Sequence, residues 1–137
     1  ASLSGLTAAL PGGLCLEPQG SFETVTGTMR YVITLRHSPF VCELFLCSDD
    51  PHDTARFQRR QQVRVLNREA FMATAEDMVI TKLRWAAQAH RSKDRDDVRN
   101  LIAVRGDELD WNYIRRWCGT HDTLTLLDEI RDSIPPA

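Results

Sequence analysis

Lysine is nearly missing from this sequence: Lys82 and Lys93 are its only two among 137 residues, and arginine carries the rest of the positive charge. A GC-rich coding sequence accounts for that bias more simply than guanidinium chemistry does. The formal charge is −2, so there is no bulk attraction to polyanions and a nucleic-acid coat is not expected. Only Arg56, Arg59, Arg60 and Arg64 are dense enough to form a local basic patch. No apolar run approaches the roughly 18 residues of a membrane span, and no signal-peptide pattern appears. A protein that neither spans a membrane nor is exported is expected, with the cytoplasm as its compartment. The four cysteines, Cys15, Cys42, Cys47 and Cys118, have no Cys-x-x-Cys pairing or histidine spacing of a zinc site. Cys42 and Cys47 fall on opposite faces of one strand, which excludes a bridge between them and leaves them as small core residues. His37, His52, His90 and His121 are scattered over turns and helix ends and read as surface residues. There is no Walker loop, dinucleotide glycine fingerprint, nucleophile elbow, internal repeat or low-complexity linker.

At this length one domain is expected over 1–137, with a helix-plus-sheet portion over 1–72 and a helical portion over 73–137. Leu3, Leu6 and Leu10 predict a helix over Ser2–Leu10 that stops at Pro11-Gly12-Gly13, so the chain starts in a helix with almost nothing before it. An irregular stretch follows. Tyr31–Arg36 and Phe40–Cys47 then read as an antiparallel hairpin turned at His37-Ser38-Pro39. Asp49-Asp50-Pro51 opens a short helix through Arg60, and Val63–Leu66 and Ala70–Ala73 are extended pieces. Thr74 with Asp77 approximates a capping box for a helix running to about His90. That helix carries one stripe of Val79, Ile80, Leu83, Ala86 and Ala87 and a second of Met78, Lys82, Trp85 and Ala89, which predicts burial between layers. Ser92 is expected to cap the next helix, whose inward arc of Val98, Leu101 and Ile102 also holds Asp94. An acid there needs a partner, and Lys82, on the margin of the preceding stripe, is the expected one: a structural ion pair of Lys82 with Asp94. Asp110 caps a third helix that ends at Gly119, and Leu124–Ile134 form a last one stopped by Pro135-Pro136. The expected fold is α+β, a small and mostly antiparallel sheet packed against a C-terminal helical cluster.

Glu43 is the side chain with most chemical interest, because alternation puts it with Val41, Phe45 and Cys47 on one face of an otherwise uncharged strand. Such a carboxylate is paired, metal-bound or at a solvent edge. Its surroundings run in a definite order: the Asp49-Asp50-Pro51 turn, a helix ending Arg59-Arg60, the extended Val63–Leu66, and a helix opening Glu76-Asp77 and carrying Lys82, with Lys93-Asp94 and Asp97 closing the pattern.

That order resembles nucleotidyltransferase-like proteins of the DNA polymerase β superfamily, related to abortive-infection toxin nucleotidyltransferases, over positions 40–118. The resemblance implies a partial nucleotidyltransferase-like fold in which Glu43 stands where the family has its third metal-binding acid, usually Asp. It also makes Arg59, Arg60 and Lys82 candidates for phosphate or nucleotide binding. Two magnesium ions bridging a triphosphate need several oxygen ligands, which one carboxylate cannot supply. The family's other two acids form an Asp-x-Asp motif after a Gly-Ser pair. Here Gly20-Ser21 is followed by no such motif, and Asp94-Arg95-Asp96 matches the letters on the wrong element.

The expected function is therefore a nucleotidyltransferase-like binding or assembly module, without catalysis on its own and with no catalytic residue assigned. One alternative is a true nucleotidyltransferase that transfers a nucleoside monophosphate to a small molecule, RNA or protein, its metal-binding pair lying upstream or on another chain. Mg2+ and a nucleoside triphosphate are implied only in that case. Another is an antitoxin-like regulatory partner of an intact nucleotidyltransferase. A homodimer is expected, as is a possible protein partner that supplies the missing elements.

Overall fold

Thr28–Leu35 is the longest β-rich run in the chain, and the other strands around it are organised on its two edges. The computed structural model describes residues 3–89 and 91–135 and divides the chain into two compact units, Ala1–Ser48 and Asp49–Ala137. Ser2, His90 and Pro136, which entered the sequence reading, lie outside the described residues.

The first unit holds α1 (Leu3–Ala9), β1 (Leu14–Leu16), β2 (Ser21–Glu23), β3 (Thr28–Leu35) and β4 (Val41–Phe45). All pairing is antiparallel: β4 runs along one edge of β3, and β1 and β2 follow one another along the opposite edge. The expected β3–β4 hairpin is present and turns with His37 at a φ of 59°. The two short strands replace an expected irregular stretch, because three residues carry too little alternation to register. Pro18, which has no N–H to donate, separates them, while the Glu17 N–H still bonds the Val32 carbonyl at 2.9 Å. Gly20 is set against the ring of Tyr31, where an added Cβ would fall 2.6 Å from a ring carbon. Gly20 thus has a packing role.

In the second unit Asp50 caps α2 (Pro51–Gln58) by accepting the His52 N–H at 2.8 Å. The extended pieces β5 (Gln61–Val65) and β6 (Arg68–Met72) form a hairpin whose two-residue turn, Leu66-Asn67, has positive φ at both positions, the type I′ geometry. Next come α3 (Ala75–Ala89), α4 (Ser92–Arg105), a 3-10 turn over Gly106–Glu108, α5 (Trp111–Thr120) and α6 (Leu124–Asp132). Val79, Ile80, Leu83, Val98, Ile102, Leu109, Ile114, Cys118, Leu127 and Ile130 form their common core. Each fully enclosed Leu, Ile or Val contributes about 1.5–3 kcal/mol.

Three expectations are corrected here. Arg91, not Ser92, is the N-cap of α4, and it makes no side-chain cap bond. The second apolar stripe of α3 is not enclosed: Met78 is exposed, and the extra buried positions are Asp77 and Thr81. Of the cysteines, Cys118 is buried, whereas Cys42 is half-buried and Cys15 and Cys47 are exposed. The architecture is mixed α+β, with small antiparallel sheets and a C-terminal helical cluster. Among the described residues no helix is long and apolar enough to cross a membrane.

Candidate functional site

Asp77 opens α3 on the same side as Ile80 and is completely buried. A carboxylate in that position survives only if its oxygens are satisfied, and four donors converge on it. The Tyr113 hydroxyl donates to Oδ1 at 2.8 Å and His52 Nε2 lies 3.1 Å from the same oxygen. The Thr74 hydroxyl donates to Oδ2 at 2.8 Å, and Arg59 Nε reaches it at 3.4 Å. Burial pushes the Asp77 pKa up, but the hydrogen bonds from His52, Thr74 and Tyr113 outweigh it and hold the carboxyl below its usual range. Tyr113 responds in the opposite sense: burial, and then its bond to the carboxylate, raise the phenol to about 12. Thr74 Oγ1 also accepts the Asp77 N–H at 3.2 Å, so the expected cap residues serve as part of a larger knot tying α2, α3 and α5.

His52 is likewise fully buried, its ring 5.1 Å from that of Trp117 and 5.7 Å from that of His121. His121 Nε2 faces both oxygens of Asp50 at 3.2 and 3.1 Å, which fixes Nε2 as the protonated nitrogen of the neutral ring. Burial lowers the His121 pKa, opposing the attraction of Asp50. Arg84 adds a contact to Asp50 at 3.3 Å. Desolvation raises the Asp50 carboxyl, yet the His52 N–H, Arg84 and His121 together bring it below the ordinary value. A cavity of about 220 Å³ opens beside this group, lined by Asp50, Arg84, Gln88, Thr120, His121 and Asp122. Taking every histidine as a surface residue is therefore wrong for His52 and His121. The sequence held a signal for one of them: His121 follows Trp117 by four helical positions, and the rings stack at 5.8 Å.

Histidine–aspartate pairs serve acid–base catalysis only where the histidine reaches a substrate. His52 is enclosed, and the thiol of Cys118 on α5 is buried with its pKa raised by that burial. The arrangement clamps helices and offers a small polar cavity at its rim.

The residues singled out from the sequence are dispersed. Glu43 on β4 is about half exposed and receives Arg30 Nη1 at 2.7 Å, the paired-acid option. Among the described residues no group of three or more His, Cys, Asp or Glu is placed to hold a metal ion. Lys82 Nζ sits 2.8 Å from Asp94 and 2.8 Å from Asp97, and Asp94 is buried with Arg91 at 3.3 Å as a second cation. Desolvation would lower the Lys82 pKa, but bonds to the two carboxylates raise it above the ordinary value. Arg59 is committed to Asp77 and stacks on Tyr113 at 4.0 Å. Arg60 has no carboxylate partner among the described residues; its guanidinium lies over Phe57 at 4.1 Å and over Phe71 at 4.9 Å. Asp94 and Asp96 do not converge, since Asp94 points inward and Asp96 pairs outside with Arg99 at 3.1 Å. No family model matches the chain, no curated protein matches it, and no solved structure matches it.

Proposed function

We propose that this chain is a nucleotidyltransferase-like binding or assembly module that does not transfer nucleotides by itself. The observation that carries the reading is the environment of Glu43: its carboxylate is held by Arg30, and it belongs to no group of three or more His, Cys, Asp or Glu placed to hold a metal ion among the described residues. Two of the three cations that the resemblance offers to a triphosphate, Arg59 and Lys82, are occupied by internal carboxylates. Incubation with magnesium or manganese and each labelled nucleoside triphosphate is expected to release no pyrophosphate above a Glu43→Ala control. Metal-dependent turnover abolished by that substitution would replace this reading with the enzyme whose acid pair comes from elsewhere.

The assembly half of the proposal rests on β4, an edge strand that pairs only with β3 among the described residues and that begins with exposed Val41 just after exposed Phe40. Open strand edges invite pairing, and two-fold closure is the commonest solution. A homodimer joined through β4 gives twice the 15.6 kDa chain mass in light scattering at micromolar concentration. A monomer throughout that range rules out the dimer.

A further inference from the structure

The β5–β6 hairpin is a poor structure to leave alone. It has two strands, both outer edges are unpaired among the described residues, and an isolated two-stranded hairpin is marginally stable in water. Val65, Leu66, Phe71 and Met72 are exposed on it, and Phe57 at the end of α2 is exposed beside it. The same stretch, 54–72, carries five arginines against a single acid, Glu69, in a chain whose overall charge is negative. Asp53 engages Arg56, and Asp77 and Glu76 engage Arg59. Arg60, Arg64 and Arg68 have no carboxylate partner among the described residues. A depression of about 330 Å³ lies on the hairpin between Gln62, Val63, Arg64, Asn67 and Glu69.

We infer that the hairpin and the end of α2 form a docking surface for an extended, acidic segment of a different protein whose alternate side chains are apolar. This inference rests on the assembly-module reading. Charge selects the occupant: Arg64 on one face of the hairpin and Arg68 on the other, with Arg60 beside them, attract carboxylates, while in a second copy of this chain the same three would repel one another. Phe57 and Phe71 take apolar side chains on one face, with Arg60 held between the two rings, and Met72 takes them on the opposite face. Such mixed aromatic, methionine and arginine surfaces are typical of protein interfaces. An added strand also satisfies the free backbone groups of the hairpin edge. Single-stranded nucleic acid would use the rings and arginines but gains no stacking from Val65, Leu66 or Met72.

The test uses the full chain and three fluorescent probes: a peptide alternating Glu with Val and Phe, the same peptide with Lys for Glu, and an oligouridine. The Glu peptide is expected to bind saturably, with amide shifts concentrated in β5 and β6. Arg64→Glu combined with Arg68→Glu is expected to weaken it by about tenfold or more, as losing an interaction of about 1.4 kcal/mol would. Arg105→Glu, an exposed arginine paired with Glu108, serves as the charge control and is expected to leave binding unchanged. Equal binding of the Lys peptide, shifts confined elsewhere, stronger binding of oligouridine, or no binding by the folded wild-type chain would each overturn the inference. Those outcomes remove this surface alone, whereas pyrophosphate release in the turnover assay removes the module reading beneath it.

Discussion

In the second unit Val79, Ile80, Leu83, Ile114 and Leu127 are wholly enclosed by neighbouring helices, whereas in the first unit Ile33 is the one buried apolar side chain among the described residues. The sheet is held by strand ladders and leaves Phe22, Phe40 and Val41 exposed; the helices hold one another through a core and also bury charge within it. The contrast separates two kinds of mutational effect. Changes in the helical unit are expected to register as stability, and changes on the sheet as association if the proposed dimer forms. All three tryptophans, Trp85, Trp111 and Trp117, belong to the second unit, so their fluorescence follows that unit alone.

Asp77→Ala tests the contrast most severely. It strands His52 in the core, leaves the Tyr113 hydroxyl without its acceptor and reduces Arg59 to its contact with Glu76, and breaking such a buried charged knot costs about 3–5 kcal/mol. Thermal unfolding followed by tryptophan fluorescence is expected to shift down by many degrees. A shift of only a degree or two would mean that the helical unit does not depend on this knot.

Asp94→Ala comes next. Lys82 keeps Asp97 in this variant, so the loss is about 2–3 kcal/mol, that of hydrogen bonds to a charged group. Asp96→Ala, on the solvent side of the same helical turn, stays within about 0.5 kcal/mol. Equal effects at the two positions would contradict the inward placement of Asp94.

Acid exposes the same asymmetry in steps. The folded pKa of His121 lies below its ordinary 6.5, so the unfolded chain takes up that proton first and stability falls as pH drops from 6.5 toward the folded value. Asp50 and Asp77 are depressed below 3.8, so their contribution is intact above that pH and is lost as pH falls through their folded values. Denaturant titrations at successive pH values measure both limbs. His121→Gln is expected to flatten the upper one, and an unchanged slope would assign that limb to another group.

The smallest effect belongs to the sheet. Glu43→Gln removes an exposed ion pair with Arg30, which is worth about 0–1 kcal/mol. The tryptophan-reported melting temperature is expected not to move. A large drop would show that Glu43 does more than pair with Arg30.

What could be read from the sequence follows from the range of each signal. The β3–β4 hairpin, the α2 start at Asp50-Pro51 and the four C-terminal helices have periodic faces or caps, which are local properties. The Lys82–Asp94 pair was legible because each residue broke the apolar pattern of its own helix. The knot around Asp77 was not, since its members come from positions 52, 59, 74, 77 and 113 and only tertiary packing brings them together. Asp77 resembled an ordinary first-turn acid, and His52 an ordinary residue after a proline. β1 and β2 escaped for a different reason: their length gives alternation nothing to repeat, and β3 defines them.

Leu66 at the tip of the β5–β6 hairpin is almost fully exposed and has a φ of 47°, a left-handed conformation that its Cβ disfavours by about 1–2 kcal/mol. The turn therefore acts as a weak spring, closed by the ladder on either side of it. Closing that spring is an ordering cost shared with any molecule the hairpin receives. Leu66→Asn combined with Asn67→Gly would give the turn the residue pair that this geometry favours, so that it rests closed already. Such a chain would meet the proposed acidic segment in the bound shape and hold it longer, with no contact added.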